Sequence, residues 1–537
     1  MGGTFSGTGK GVAAASMGLL LKMRGYSVNM IKFDPYLGSA STLSPGQHGE
    51  TYVTDDGFEQ DLDSGTYFRL TGCQTTKNTV TNAGTLYKEL IHEQEVGMYL
   101  GETIQSSHLS RKIQKKILES GKDVDIVVIE IGGTCGDPES EIMFSAIKDF
   151  KHKYNGNVLV AMVAPILWVQ TIKEFKTKPL QNAVVELNRH GIQADILLCR
   201  VDREIPVKIL DKVSSLTGID RENVFDAPDV KTVYHVPIEF YNRQIDDSIV
   251  DLLKLKRTPC RIRKYKELLD KPLNGQINIG VVGKYENSDE AYISIKEALR
   301  HCQFSEGVNI NITWVNAQSL ENTNKEEIQK QLNNFDGIIV PGGFDSRGVQ
   351  GKINAIQYAR ENKVPYLGIC LGLQCAVIEF ARNVCGIEKA NSLEFEKDCS
   401  EPVVHYVKGQ SAEINKSGTM RLGAYDCELT KGSIIAELYG KKLISERHRH
   451  RLEVNPKYLE TYAAKGFKVS GTNPQSNLVE MMELDTASHP FFVGTQAHPE
   501  FKSRLTEVAP MFKGLVKAAM NKAANKTKPE VVVAEAK

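Results

Sequence analysis

A cysteine between glycines, and a histidine two residues ahead of a glutamate, are the residues of this sequence best suited to nucleophilic chemistry. Cys370 stands in Gly-Ile-Cys-Leu-Gly (368–372), which has the form of a nucleophile elbow with cysteine in place of serine. His498 and Glu500 follow in the same half of the chain. We expect Cys370 to attack a carbonyl carbon, His498 to act as base and then acid, and Glu500 to hold the useful imidazole tautomer. The alternative is a buried structural cysteine beside an unrelated histidine.

The segments around Cys370 predict the geometry that this chemistry needs. Residues 364–369 are short and apolar, which indicates a buried strand, and residues 371–382 have a helical pattern. Cys370 would then lie on a tight turn at a helix N-terminus, where the helix dipole favours a thiolate. The flanking glycines allow the turn and the close approach of a substrate. Because strand, elbow, helix and His-x-Glu occur in order, we favour the catalytic interpretation.

A second candidate site lies in the glycine-rich residues 2–11, which carry Lys10 and precede a predicted helix. Such a loop presents backbone N–H groups to phosphates at a helix N-terminus. Its spacing departs from a Walker A motif by one residue, and Gly11 stands where Ser or Thr would bind magnesium. A tight glycine turn without a ligand therefore remains the alternative.

Acidic residues near the ends of predicted strands strengthen the phosphate-site interpretation. Asp63 lies in Asp-Leu-Asp-Ser-Gly (61–65), and Glu130 ends a hydrophobic run ahead of Gly-Gly-Thr. Carboxylates at the C-terminal ends of strands, near a phosphate loop, suit Mg²⁺. Together with Lys32, Lys176 and Lys178 they predict a polyanion pocket that could hold two nucleotides, although each of them singly is typical of a solvated side chain.

The composition sets limits on the class of protein. A chain of 537 residues is long enough for two or more domains, and 66 Lys plus Arg balance 66 Asp plus Glu, so no charge bias points to nucleic acid or anionic membranes. The ten cysteines form no CxxC pair, which is typical of reduced thiols in the cytosol. The longest apolar run, 158–169, is too short to span a bilayer, and we predict no signal peptide.

Apolar runs alternate with helical patterns in both halves, which predicts an α/β fold with two doubly wound domains. The predicted strands lie at residues 28–33, 126–130, 158–163, 195–199, 277–283 and 336–344, and the predicted helices of the first half at 11–24 and 180–190. We predict domains at 1–253 and 276–521, a basic linker at 254–275 and a disordered tail at 522–537.

The whole chain resembles the CTP synthase family in motifs spread from the first loop almost to the C-terminus. These motifs are Gly-Thr-Gly-Lys-Gly (7–11), Lys-Phe-Asp-Pro-Tyr (32–36), Gln-His-Gly-Glu (47–50), Asp-Leu-Asp (61–63), Glu-Ile-Gly-Gly-Thr (130–134), Lys-Thr-Lys-Pro (176–179), Pro-Gly-Gly-Phe (341–344), Gly-Ile-Cys-Leu-Gly (368–372) and Glu-Arg-His-Arg-His-Arg (446–451). The resemblance implies a P-loop-like synthetase domain of the dethiobiotin-synthetase type, joined to a class I glutamine amidotransferase domain.

The resemblance also implies a reaction in three parts. ATP phosphorylates O4 of UTP, the amidotransferase domain hydrolyses glutamine, and the ammonia travels inside the protein to C4 and displaces phosphate to give CTP. The implied cofactors are Mg²⁺, ATP as co-substrate and GTP as allosteric activator, with CTP as an inhibitor. A cytoplasmic homotetramer without nucleic-acid or membrane partners is expected.

The resemblance assigns residues of the first half to nucleotides and metal. The positions implied for ATP are Gly7, Thr8, Gly9, Lys10, Gly11, Arg200, Asp229 and Val230. Those implied for UTP, and for CTP as inhibitor, are Ser6, Lys32, Asp137, Glu139, Lys176, Thr177, Lys178, Gln181 and Lys212. Asp63 and Glu130 are implied to bind Mg²⁺.

In the second half the resemblance gives Cys370, His498 and Glu500 the catalytic roles. It implies that glutamine is bound by Gly343, Leu371, Gln374, Glu394 and Arg451, the first two through backbone N–H groups of an oxyanion hole. The pair His448 and His450 could suggest a metal, but we favour a loop at the glutamine pocket. Residues 344–351 match a lid that the family links to activation by GTP; an ordinary surface turn is the alternative for the middle of this segment.

The sequence departs from the family at its first residues. The family has a short hydrophobic strand ahead of the phosphate loop, whereas this sequence starts almost on the loop. Because the loop follows the C-terminal end of that strand, we expect exposed strand edges and a poorly anchored loop. The alternatives are another ATP-dependent glutamine amidotransferase, which should lack Lys-Thr-Lys-Pro and Gln-His-Gly-Glu, and a glutaminase or assembly subunit whose ATP loop is disabled.

Overall fold

The computed structural model describes residues 2, 7–38, 49–284, 289–344, 346–407 and 420–526. It divides into two compact units, one formed by residues 1–42 and 63–270 and the other by residues 43–62 and 271–537. The predicted positions Ser6, Gln47 and His48, residue Asp345 of the predicted lid, and residues 527–537 of the predicted tail lie outside the described residues.

The first unit alternates strands and helices. Its helices are α1 (Lys10–Met23), α2 (Leu62–Thr71), α3 (Ala83–Glu95), α4 (Ser106–Ser120), α5 (Glu141–Lys153), α6 (Lys178–Arg189), α7 (Val207–Thr217), α8 (Val236–Asn242), α9 (Ile245–Leu252) and α10 (Arg263–Leu269). The strands up to residue 270 are β1 (Val28–Asp34), β2 (Tyr52–Val53), β3 (Glu59–Gln60), β4 (Val80–Asn82), β5 (Ile126–Ile131), β6 (Ala161–Pro165), β7 (Leu167–Val169), β8 (Glu174–Lys176), β9 (Ile196–Val201) and β10 (Val224–Pro228), of which β2 and β3 belong to the second unit.

Most predicted elements of this half are confirmed, and one is displaced. The strand predicted at 158–163 is β6 at Ala161–Pro165. The reason is a side-chain contact: the carboxylate of Asp195 accepts a hydrogen bond from the backbone N–H of Val160 at 2.7 Å, so this N–H does not enter a strand ladder. Pairing of β6 with β9 therefore begins one residue later, at Ala161.

The parallel strands of the first unit form two separate sheets, in the orders β4-β1-β5 and β10-β9-β6. A cavity of about 620 Å³ lies between β5 and β6, lined by apolar side chains that include Ala13, Ile129, Val163 and Ile249. β5 is only half-buried from Ile126 to Ile129. Gly2 forms an isolated parallel bridge with Val163. Among the described residues, β5 pairs with β1, and β6 pairs with β9 and, at Val163, with Gly2.

The second unit is built around one large sheet. Its further strands are β11 (Gln276–Gly283), β12 (Asn309–Asn316), β13 (Gly337–Val340), β14 (Tyr366–Ile369), β15 (Ala390–Ser392), β16 (Glu401–Tyr406), β17 (Arg421–Leu429), β18 (Leu443–His450), β19 (Leu452–Val454), β20 (Phe467–Thr472), β21 (Val479–Leu484) and β22 (Phe492–Thr495). Its helices are α11 (Ile293–Glu306), α12 (Lys325–Leu332), α13 (Val349–Glu361), α14 (Leu371–Asn383), α15 (Ile434–Tyr439), α16 (Leu459–Ala464) and α17 (Pro510–Lys526).

The order of this nine-stranded sheet is β12-β11-β13-β14-β22-β21-β20-β17-β18. The neighbours β13, β14 and β22 run parallel, and the strands from β21 to β18 are antiparallel. Strand β14 and the helix α14 that follows it are buried almost throughout. Because the carboxyl ends of β13, β14 and β22 meet at one edge, the residues after each of these strands are brought together there.

Two differences from the predicted domain plan concern the ends of segments. Helix α17 continues to Lys526, whose Nζ lies 2.8 Å from Asp336 Oδ1, so predicted disorder is wrong for residues 522–526. The predicted domains are continuous stretches, whereas residues 49–62 belong to the second compact unit. No helix in the described ranges is long and apolar enough to cross a membrane.

Candidate active site

Cys370 lies on a strained turn between β14 and α14. Its φ is 52° and its ψ −102°, a conformation that L-residues rarely adopt and that costs about 1–3 kcal/mol. A methyl group at position 372 would lie 2.1 Å from the carbonyl oxygen of Val340, and one at 368 would lie 2.5 Å from the Tyr366 hydroxyl. Glycine is therefore required on both sides by close packing, and the strand–elbow–helix geometry predicted from the sequence is confirmed.

His498 and Glu500 follow β22, the parallel neighbour of β14. The His498 Nδ1 and Glu500 Oε1 atoms are 2.8 Å apart. Burial lowers the pKa of His498, but the charge and hydrogen bond of Glu500 and the proximity of Cys370 outweigh it and raise the pKa to about 10. A methyl group on Gly342 would lie 2.9 Å from His498 Cε1 and 3.5 Å from Cys370 Cβ. Cys370 and His498 thus border the same small space, and the raised pKa favours an imidazolium that has taken the thiol proton and pairs with the thiolate.

The glycine pair after β13 borders the same space. A methyl group on Gly343 would lie 3.5 Å from a side-chain carbon of Leu371. Leu371 is the first residue of α14, so its backbone N–H is one of the groups that a helix leaves without an intrahelical partner. The two residues predicted to supply the oxyanion hole therefore lie side by side next to Cys370.

Of the three side chains predicted to bind glutamine, Gln374 and Arg451 are buried and Glu394 is half-buried. Arg451 Nη2 lies 3.9 Å from Glu394 Oε1, and the Arg451 Nε has no hydrogen-bond partner among the described residues. Gln374 Nε2 donates to the Leu452 carbonyl at 3.0 Å and to Gln496 Oε1 at 3.1 Å. Gln496 was not predicted from the sequence, although its place two residues ahead of His498 is a usable signal.

The histidine pair His448 and His450 lies in β18, not in a loop, which corrects our prediction. His450 Nδ1 is 2.9 Å from the Leu452 carbonyl, and His448 Nδ1 is 3.1 Å from His450 Nε2. Burial lowers the pKa of His450 to about 3, so it is neutral. Neutral His450 must donate through Nδ1 and accept through Nε2. No group of three or more His, Cys, Asp or Glu suited to a metal is found within the described part of the chain.

The β2–β3 hairpin carries acidic residues to two arginines of β18. Asp55 Oδ1 is 2.7 Å from Arg447 Nε, and Glu59 Oε1 is 2.6 Å from Arg449 Nε. The Arg449 guanidinium also lies 4.9 Å from the ring centroid of Phe344, the first residue of the predicted lid. These contacts place Phe344 beside β18.

In the first unit, the phosphate loop lies next to one of the distant side chains implied for ATP, Arg200. Lys10 is the first residue of α1, and its Nζ donates to the Gly133 carbonyl at 2.7 Å. A methyl group on Gly9 would lie 3.9 Å from Arg200 Nε. Arg200 is ion-paired with Asp229 and donates to the Ala227 carbonyl at 2.9 Å. Of the remaining positions implied for ATP, Thr8 is buried, Gly7 is exposed and Val230 is half-buried beside Asp229.

The two predicted metal ligands converge at the start of α1. A methyl group on Gly11 would lie 3.0 Å from Asp63 Oδ1 and 3.1 Å from Glu130 Oε2. Lys32 Nζ lies 2.5 Å from Asp63, and Tyr67, which the sequence did not point to, donates to Glu130. Burial, followed by the charge of Asp63, raises the pKa of Glu130 despite the nearby Lys32. Two close carboxylates beside a phosphate loop fit Mg²⁺, which is commonly held by one or two carboxylates plus substrate phosphates.

Comparison with known proteins agrees with this geometry. Residues 1–255 match the family model "CTP synthase N-terminus", and residues 289–518 match "Glutamine amidotransferase class-I". The chain is 44% identical over 532 residues to a CTP synthase of Methanococcus aeolicus, covering 97% of this chain and 98% of that protein. It is also 44% identical to a CTP synthase of Acidobacterium capsulatum, with coverage of 96% and 94%. This chain belongs to the CTP synthase family.

One solved structure is similar to part of this chain. It is described as the glutaminase domain of Trypanosoma brucei CTPS with bound acivicin, and it is 40% identical, covering 46% of this chain and 94% of that chain, with a TM-score of 0.43.

Five of the positions that the family implies for UTP and CTP lie in or near β8 and the start of α6: Lys176, Thr177, Lys178, Gln181 and Lys212. Lys176 pairs with Glu174 at 2.6 Å, and Gln181 Nε2 donates to the Thr177 hydroxyl at 2.8 Å. Lys178 is the first residue of α6. Lys176, and to a smaller extent Lys212, lower the pKa of Glu174. Asp137 accepts from the Thr134 N–H at 2.7 Å, and Glu139 is exposed in the next turn. Lys32 belongs to the other group, beside Asp63.

Proposed function

We propose that this chain is a glutamine-hydrolysing CTP synthase, which aminates UTP to CTP at the expense of ATP. The observation that carries the proposal is the meeting of Cys370, His498 and Glu500 at one sheet edge of the second unit. It is supported by the convergence of Asp63 and Glu130 on the phosphate loop of the first unit, and by membership of the family.

In the synthetase unit, the proposed step is transfer of the γ-phosphoryl group of ATP to O4 of UTP. A new P–O bond forms at O4, the bond between the γ-phosphorus and the bridging oxygen breaks, and ADP leaves. Asp63 and Glu130 would hold Mg²⁺, which supplies charge neutralisation on the phosphates. Lys10 adds a positive charge at the helix N-terminus, and Arg200 would bind ATP from the other side of Gly9.

In the amidotransferase unit, the thiol proton of Cys370 passes first to His498, whose raised pKa favours the imidazolium, and Cys370 Sγ then attacks the carboxamide carbon of glutamine as a thiolate. The Gly343 and Leu371 N–H groups stabilise the oxyanion, and Gln374, Glu394 and Arg451 bind the rest of the substrate. His498 then protonates the leaving nitrogen, ammonia departs, and a thioester remains. Water, activated by His498, hydrolyses the thioester to glutamate and restores the thiol.

Ammonia attacks C4 of the phosphorylated UTP only in its neutral form, because ammonium has no free electron pair. In water near neutral pH most of it would be protonated. We therefore include in the proposal that ammonia passes to the synthetase unit inside the protein, and that it displaces phosphate at C4.

Regulation and assembly complete the proposal. GTP as activator is supported by the family's lid at residues 344–351, whose first residue, Phe344, lies against Arg449. The CTP inhibition is assigned to the group around Lys176. The reducing cytoplasm as location is supported by ten free cysteines. The family also suggests a homotetramer, and the balanced charge of the chain favours no nucleic-acid or membrane partner.

The test is CTP formation by the purified chain with ATP, Mg²⁺ and UTP, with glutamine and ammonium as separate nitrogen sources. We expect CTP from both, and Cys370→Ala should abolish only the glutamine-driven reaction. Cys385→Ala, at a half-buried cysteine, is the matched control and should keep both. Glutamine hydrolysis without CTP from either nitrogen source would instead favour a glutaminase or assembly subunit.

A further inference from the structure

We propose that Gln496 stabilises the thiolate of Cys370 by donating a hydrogen bond to its sulfur, a role that rests on the proposed glutaminase function. Gln496 Nε2 lies 3.4 Å from Cys370 Sγ, and both atoms belong to buried side chains. Gln496 comes directly after β22, so the same strand pairing that brings His498 to Cys370 also brings this amide to it.

The hydrogen-bond network decides which end of the Gln496 amide faces the sulfur. Gln374 Nε2 donates to the Leu452 carbonyl and to Gln496 Oε1. Turning the Gln374 amide over would set its oxygen against the Leu452 carbonyl, two acceptors without a proton between them. Gln496 must therefore accept through Oε1, which leaves its NH₂ group for Cys370. The orientation of the Gln496 amide is thus fixed, through Gln374, by the Leu452 backbone carbonyl.

The other end of this network is also ordered. The Leu452 carbonyl accepts from His450 as well, and His450 is neutral with its proton on Nδ1, since its pKa is lowered to about 3 by burial. The backbone N–H of Gln496 donates to the Glu480 carbonyl at 2.7 Å, which holds the residue on the sheet. The amide is therefore preorganised and does not have to rotate when charge develops on the sulfur.

The surroundings of the sulfur explain why this donor matters. Cys370 Sγ lies 3.8 Å from the Arg449 carbonyl, which can accept from a thiol S–H but repels a thiolate. Cys370 and Gln496 are 4% and 0% exposed, so bulk water does not solvate the charge well, and a hydrogen bond to an ionised group in such a site is strong. Loss of the Gln496 N–H should lower the thiolate population about 10- to 100-fold.

The test compares wild type with Gln496→Met, which keeps the length of the side chain and removes the donor. The rate of Cys370 alkylation by iodoacetamide is followed from pH 5 to pH 10, with Cys370→Ala as background. We expect alkylation about 10- to 100-fold slower at pH 7, recovery at high pH, and a similar loss in kcat for glutamine with little change in KM. Gln357→Met, a glutamine on the surface of α13, is the matched control and should match wild type.

Denaturant unfolding of the second unit, which contains Gln496, reports whether the same variants fold. A Gln496→Met protein that folds, loses glutaminase and yet keeps the wild-type alkylation profile would overturn the proposal and leave Gln496 a packing role. If Gln496→Met does not fold, Gln496→Glu replaces it, and its alkylation rate relative to wild type should fall as pH rises and the carboxylate forms. Because alkylation needs no glutamine, this result is separate from failure of the proposed function, which would appear as a wild-type protein inactive with glutamine.

Discussion

The Cys370 elbow works only because the neighbouring residues are small. The Val340 carbonyl of β13 comes so near Gly372 that any side chain there would collide with backbone. Cys370 has a positive φ of 52° on this turn, and a methyl group on Gly342 would lie 3.5 Å from its Cβ and 2.9 Å from His498 Cε1. The strain on one residue is thus maintained by the buried strands on either side of it, as expected for a nucleophile that must stay in one orientation.

The pH dependence of stability should reveal the His498–Glu500 pair. The pKa of His498 is raised to about 10 in the folded protein, against an ordinary value of 6.5, because Glu500 and Cys370 outweigh burial. A raised pKa adds stability that is fully present below pH 6.5 and is lost as pH rises towards 10. Glu500→Gln should therefore lower the free energy of unfolding more at pH 6 than at pH 10, measured by urea denaturation.

The control for this prediction is Glu507→Gln, which removes an exposed carboxylate of the same unit. Its effect should be small at both pH values. A Glu500→Gln effect of equal size at pH 6 and pH 10 would contradict the charged state of His498. Glutaminase activity of Glu500→Gln should fall by at least tenfold, since the imidazole loses the group that sets its tautomer.

At the scale of elements, the β2–β3 hairpin is held to the second unit by buried charge. The Arg447 side chain is fully buried and is paired with Asp55, and its Nη1 also donates to the Val53 carbonyl at 3.1 Å. Asp55→Asn would leave this cation without its carboxylate, and we expect a loss of about 3 kcal/mol in the stability of the second unit, measured by denaturant unfolding. Glu428→Gln, which breaks an exposed pair with Lys442, should cost under about 1 kcal/mol.

The same pair predicts an acid dependence. Burial raises the pKa of Asp55, but the charges and hydrogen bonds of Arg447 and then Lys502 lower it by more than that. The resulting pKa is below the ordinary 3.8. A depressed carboxyl pKa gives stability that is present above pH 3.8 and is lost as pH falls through the folded value. The difference between wild type and Asp55→Asn should therefore shrink below pH 4. A constant difference down to pH 2 would show that the charge of Asp55 is not what holds Arg447.

The apolar cavity between β5 and β6 gives a second prediction for an element. Its edges are parallel strands, so a six-residue apolar β-strand fused ahead of Met1 could pair with both. The free energy gained by burying its side chains exceeds the entropic cost of ordering the strand by a small margin. We therefore expect the fused strand to stabilise the first unit by about 2 kcal/mol, which calorimetry would show as a rise of about 4–8 °C in its Tm. A Gly/Ser extension of equal length should not raise the Tm. An equal rise in Tm from the apolar and the Gly/Ser extensions would show that the cavity does not take a strand.

How much the sequence could predict depends on how local each feature is. The strand, elbow and helix around Cys370 are contiguous, so their pattern sufficed. The meeting of Cys370 with His498 depends on the pairing of β14 with β22, which are far apart in the chain. Gln496 and Tyr67 were missed because the partner of a polar side chain is chosen by sheet register and packing. For the same reason, no local signal showed that residues 49–62 join the second unit.

At the scale of the whole molecule, the chain has two compact units with separate cores, and it passes between them at 42/43, 62/63 and 270/271. A ligand stabilises the unit that binds it by about 2.7 kcal/mol at a hundred times its Kd. For units of this size that is about 5–10 °C in Tm. ATP with Mg²⁺ should therefore raise one calorimetric transition, and covalent modification of Cys370 by an electrophilic glutamine analogue should raise another.

Two variants assign the transitions. Asp55→Asn should lower the transition that the glutamine analogue raises and leave the ATP-sensitive one in place, because Asp55 and Cys370 belong to the same compact unit although residues 63–270 separate them in the chain. Cys370→Ala should abolish the response to the analogue alone. A single transition that shifts with both ligands and falls with Asp55→Asn would mean that the units unfold together, and that the stability of the phosphate loop is tied to that of the glutaminase core.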